Sequence, residues 1–158
     1  MSIKDKEYLL NILAEAHLAI RATLDEVDLE MPVHKDSSWR VREIIGHIAT
    51  WDQEVANSLR AYQAGSAYQI SDLDEEETEY NEKAILEQKK LSVQQIVAEW
   101  ERAHDEFRKA IQEMPSDRFP GDMQYPWDER GSIANLVEEM VEHAIEHRDE
   151  IVKAQQAI

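Results

Sequence analysis

Three histidines carry the clearest chemistry in this sequence. His143 and His147 stand four apart in His143-Ala144-Ile145-Glu146-His147, and His47 lies far earlier, in Ile45-Gly46-His47-Ile48. On a helix, positions i and i+4 lie one turn above each other, roughly 6 Å apart on one face. Two imidazoles so placed can reach one ion. A third, from a neighbouring helix, would complete a three-nitrogen set that keeps a position open for water or substrate, as catalytic sites do. The fold must therefore bring two distant segments together.

Other chemistry-bearing residues surround these. Asp52 falls within the apolar arc of its helix, where an unpaired carboxylate is costly. We expect it to pair with Arg21 or Arg148, or else to orient a ligand imidazole through its second ring nitrogen. Glu146 either supports the imidazoles or is solvated. The run His143-x-x-Glu146-His147 also fits the inverted zincin pattern, in which the glutamate is a general base. Such peptidases need a further acidic ligand and a larger body, so this reading is set aside. His104, in a stripe with Trp100 and Phe107, reads as a core histidine or an extra member of the site. Trp39, Trp51 and Trp127 are candidate pocket walls, and Trp51 at helical spacing also reads as core. Trp127 and Tyr125 lie in a loop and suit a lid or substrate contact. His17 and His34 look peripheral.

Composition narrows the classes. With 158 residues and no cysteine, the chain suits one domain, residues 1–158, without disulfides, thiolate catalysis or sulfur-ligated zinc. The formal charge of −17, from 34 acidic and 17 basic residues, disfavours nucleic acid and anionic membranes as partners. No apolar stretch resembles a signal peptide or a membrane span, so a cytoplasmic location is expected. Four glycines and four prolines suit long helices with few turns.

The elements that must position the histidines follow from helical periodicity. The first helix is expected from about Lys4 to Val27. The second runs from roughly Arg40 to Tyr62 after a connection with Pro32 and Ser37-Ser38. An acidic run, Asp72 to Glu77, opens a shorter helix through Leu86, since carboxylates favour a helix N-terminus. Ser92-x-x-Gln95 has the form of a capping box and starts a helix ending near Met114. After a Pro/Gly-rich connection, Ser132 caps the last helix, Ile133 to about Ala154. Four long amphipathic helices with one short acidic helix between the second and third read as an all-α bundle.

Three segments resemble the DinB/YfiT-like superfamily of four-helix bundles. They are Trp39 to Trp51 around His47, then Tyr80-Asn81-Glu82, and His143-x-x-Glu146-His147-x-x-x-Ile151. Their order and separation match, and the resemblance spans residues 4 to 154. It implies one divalent ion, often nickel or zinc, held by residues matching His47, His143 and His147. It also implies frequent homodimerisation and small-molecule substrates. Characterised relatives include S-transferases and isomerases that use bacillithiol or mycothiol, and colibactin self-protection hydrolases. Arg40 departs from the Ser or Thr common before the second helix. The expected function is that of a divalent-metal-dependent enzyme acting on a small electrophile, as thiol S-transferase or hydrolase. With no cysteine in the chain, a low-molecular-weight thiol would arrive as cosubstrate. The alternative is a non-catalytic, stress-related metal or small-ligand binding bundle.

Overall fold

The structure is a computed structural model that describes residues 5–34, 39–70, 73 and 77–157. Its elements run α1 (Lys6–Leu24), α2 (Val41–Gln63), α3 (Thr78–Gln88), α4 (Val93–Gln112), β1 (Asp122–Gln124), β2 (Arg130–Ser132) and α5 (Ile133–Gln156). Four long helices and a short fifth form the expected all-α bundle. The short acidic helix starts at Thr78, later than the run from Asp72 suggests. Most of that run, and Ser37-Ser38, lie outside the described residues.

Local chemistry accounts for the helix starts. Ser92 accepts from the Gln95 backbone N–H at 3.1 Å while the Gln95 side chain accepts from Ser92 N–H at 2.8 Å, which completes the capping box. Ser132 accepts from Asn135 N–H at 3.1 Å and caps α5. At the start of α2, where Arg40 is the N-cap, Glu43 supplies the half of a capping box that reaches back to the N-cap. Its carboxylate accepts from the Arg40 backbone N–H at 3.0 Å and from Arg40 Nε at 2.8 Å.

The helices pair chiefly as α2 with α4 and α1 with α5, and α2 meets α5 less extensively. The thinner α2–α5 seam leaves space for a cleft. One apolar cluster gathers Leu9, Trp51, Leu59, Phe107, Ile111, Tyr125 and Leu136. A second gathers Ile20, Ile44, Ile45, Ile48, Ile96, Trp100 and Ile151. Helix α3 lies close over α2 because Gly46 has no side chain. A Cβ there would meet Gln88 Oε1 at 2.3 Å, and Gln88 Nε2 donates to Gly46 O at 2.7 Å. The residue that follows this close approach is His47.

The connection before α5 is more ordered than its composition suggests. Strands β1 and β2 pair antiparallel, with Asp122 opposite Ser132. Gln124 Nε2 donates to the carbonyls of Tyr125, Trp127 and Glu129 at 2.8–3.0 Å. The Tyr125 hydroxyl donates to Ser132 O at 2.7 Å, over Gly131, where a Cβ would collide with that hydroxyl. Tyr125 is therefore a buried strut of the hairpin (1 % exposed), and Trp127 is the residue it presents. Among the described residues no helix is long and apolar enough to cross a membrane.

Candidate metal centre

His47 comes from the first half of α2, and His143 and His147 from successive turns of α5. The three rings converge. His143 Nε2 lies 3.2 Å from His47 Nε2 and 3.0 Å from His147 Nε2. Three nitrogens held about 2.0–2.1 Å from one ion in tetrahedral geometry stand about 3.3 Å apart, so the spacing fits a single cation with little movement. Among the described residues this is the one group of three or more potential ligands within such reach, and each offers a nitrogen.

Electrostatics favours ligation too. Burial, then the proximity of His147 and His143, lowers the His47 pKa to about 3. Burial, then His147, lowers His143 to about 4, and burial with a contribution from His34 lowers His147 to about 4. All three imidazoles are therefore neutral at pH 7, with lone pairs available. Three neutral rings facing one point cannot all satisfy their Nε2 atoms with one another, whereas a cation satisfies all three at once.

The triad opens into a cavity of about 480 Å³ lined also by Trp39, Trp51, Asn81 and Trp127. Trp51 is buried (3 % exposed) and its Nε1 donates to Asn81 Oδ1 at 2.8 Å. Trp51 and Trp127 meet edge to face, ring centroids 6.1 Å apart. Glu77, Glu139 and Glu146 complete the lining with Met140, and neither lysine nor arginine contributes. Trp51, Trp127 and Glu146 are thus at the site, with Glu146 exposed at its margin.

Two other candidates lie elsewhere. Asp52 does not pair with Arg21, which is bonded to Glu101, or with Arg148, whose Nε donates to Asp149 at 2.8 Å. It lines a separate cavity of about 20 Å³ between the two apolar clusters, with His17 and His104. Burial raises its pKa to about 8. His104 stacks on His17 at 3.7 Å, and His17 on Trp100 at 4.2 Å. Burial first, then neighbouring charge, lowers both to about 4. Neither Asp52 nor His104 joins the triad.

Trp39, a candidate wall in the sequence, contributes, and so do Glu150 and His34, which the sequence did not place at the site. Trp39 tilts over His47 with ring centroids 5.3 Å apart. Glu150 reaches both His147 and His34. Its signal was present in sequence: Glu150 follows His147 by three, so the two share a helix face. His34 sits in a connection, where periodicity gives no direction.

The model of the mycothiol maleylpyruvate isomerase N-terminal domain matches residues 10–147. No curated protein matches the sequence. Among solved structures, YfiT from Bacillus subtilis, described as a probable metal-dependent hydrolase with an unusual four-helix bundle topology, superposes with a TM-score of 0.77. The identity is 17 %, over 99 % of this chain and 89 % of that one. The mycothiol-dependent maleylpyruvate isomerase superposes at 0.77 with 14 % identity, over 96 % of this chain but 63 % of that one. A point mutant of the same isomerase gives 0.76 at 13 % identity. At these identities the likeness concerns the fold. The domain match covers most of the chain, and with it the chain belongs to the mycothiol maleylpyruvate isomerase N-terminal domain family, within the DinB/YfiT-like four-helix bundles.

Proposed function

We propose that this protein is a divalent-metal-dependent enzyme acting on a small electrophile, with His47, His143 and His147 holding the ion. The observation that carries the reading is the convergence of three Nε2 atoms, from two helices, on the floor of one cavity. Bound there, nickel or zinc would supply a Lewis acid that lowers the pKa of a water or thiol, since neutral imidazoles leave its charge uncompensated. The chain's own groups do the rest. The two half-buried indoles of Trp39 and Trp127, with buried Trp51, exclude water and offer flat apolar faces to a substrate. Glu139 and Glu146, both exposed at the margin, are within the cavity lining and can take or return a proton at its mouth.

The lining also selects. The three lining carboxylates outweigh the two positive charges of a bound ion and no lysine or arginine adds to them, so a neutral or cationic electrophile suits this cavity better than a dianionic one. The metal-loaded protein should be challenged with neutral electrophiles such as epoxides and with activated dicarboxylates, each with and without low-molecular-weight thiols. Thiol-dependent consumption of the neutral set supports S-transfer, and thiol-independent consumption supports hydrolysis. Binding without turnover of any compound, under conditions where the metal is stoichiometric, would leave a binding protein and refute the enzymatic reading.

The lowered pKa values set the pH dependence. Protons compete with the ion for Nε2, so affinity falls as pH drops through the ligands' own pKa values. Solvated histidines would lose metal near pH 6.5. Here burial moves that loss to about pH 3–4. Zinc affinity is expected to change little between pH 7.5 and about 5, then to collapse near pH 4. A steep loss between pH 7.5 and 6 in a competition titration would contradict buried, neutral ligands.

A further inference from the structure

On the side of the His147 ring opposite Nε2, two groups with no part in the triad meet. Glu150, nearly one turn further along α5, places Oε1 2.7 Å from His147 Nδ1. Its other oxygen, Oε2, lies 2.9 Å from Nε2 of His34, in the connection between α1 and α2. His147 Nδ1 is nevertheless buried without an aligned hydrogen bond. The carboxylate is close enough to accept but stands off the ring N–H direction, so a small side-chain rotation would complete the bond.

That bond has a consequence for ligation. A neutral imidazole carries one proton, on either nitrogen. If the proton sits on Nε2, His147 has no lone pair for an ion. A carboxylate accepting at Nδ1 holds the proton there and leaves the Nε2 lone pair facing His143 and His47. We propose that Glu150 is the positioning residue of the triad: it accepts His147 Nδ1–H and fixes ring and tautomer, while His34 holds the carboxylate in place from the connecting segment. The inference rests on the metal reading above. It gives Glu150 the orienting task that the sequence suggested for Asp52, which lines the other cavity.

The test uses the full chain, stripped with a chelator and titrated with Zn²⁺ against a chromophoric competitor at pH 7.5. Glu150→Ala is expected to weaken zinc about tenfold, the lower end of such effects, because the Glu150 side chain is 34 % exposed. Glu150→Gln keeps an acceptor and should recover most of the loss, and His34→Ala should fall between it and Glu150→Ala. Nitrogen-15 NMR of the metal-free protein supplies a readout that a purely structural role would not move. His147 should carry its proton on Nδ1 in the wild type and become a tautomer mixture in Glu150→Ala, with thermal stability nearly unchanged. Tight zinc binding in the wild type with Glu150→Ala within twofold of it would overturn the Glu150 role and leave the metal site standing. Failure of the wild type itself to bind would overturn both.

Discussion

His143→Ala is expected to strip the protein of divalent metal. Protein purified without a metal-affinity step should carry near-stoichiometric nickel or zinc, and the variant should carry almost none, with affinity reduced at least about a hundredfold. His143 is chosen because its Nε2 stands between the other two, at 3.2 and 3.0 Å. Its removal leaves one nitrogen on each helix, too few to hold an ion against water. The second readout is thermal. A ligand at a hundred times its Kd stabilises the folded state by about 2.7 kcal/mol, or roughly 5–10 °C in Tm for a domain of this size. Added Zn²⁺ should therefore raise the wild-type Tm by about that amount and leave His143→Ala unmoved. His17→Ala, in the separate cavity, should respond like the wild type. Metal retained by His143→Ala, or an equal Tm response in both proteins, would move the site elsewhere.

Much of this architecture was legible because it is written in short-range chemistry. Ser92-x-x-Gln95 and Ser132 mark helix starts that the structure reproduces with the expected hydrogen bonds. The His143–His147 pair follows from helical spacing alone. Their meeting with His47 did not follow from spacing; the family resemblance supplied it, since no local rule says which helix faces which. The hairpin at Asp122–Gln124 and Arg130–Ser132 stayed hidden because strands of three residues show no periodicity. It is held instead by one glutamine amide on three carbonyls and by a buried tyrosine. Helical periodicity put Asp52 correctly in the interior and failed on its partner. Periodicity reports a face, whereas a partner depends on the packing of other helices, and here Glu101 and Asp149 engage the two arginines.

That unpartnered carboxylate gives the second large effect. Asp52 is 7 % exposed, and burial lifts its pKa to about 8 against 3.8 for the free side chain. Between those values the folded state binds the proton more tightly than the unfolded state, so the stability contributed by this one proton falls as pH rises and is gone above the folded pKa. Histidines act in the opposite sense. His17, His47, His104, His143 and His147 have folded values of about 3 to 4, so stability falls as pH drops below 6.5. Metal-free protein should therefore be most stable near about pH 7, where the two opposing slopes balance, and lose stability on both sides. Between pH 6.5 and 8 the histidines still offset Asp52, so its effect is read as the difference between two proteins that share those histidines. From pH 6.5 to 8 the Asp52 carboxyl alone removes about 2 kcal/mol, a relative loss of roughly 4–8 °C in Tm against a protein without it. Asp52→Asn keeps the shape and a polar tip for the cavity shared with His17 and His104 but cannot ionise. Its Tm, measured with chelator present to hold metal out, should gain on the wild type by that amount across the interval. The same alkaline slope in both proteins would mean that the carboxylate at Asp52 is compensated in the folded state. The charge would then be no burden to the interior, and the raised pKa would fall with it.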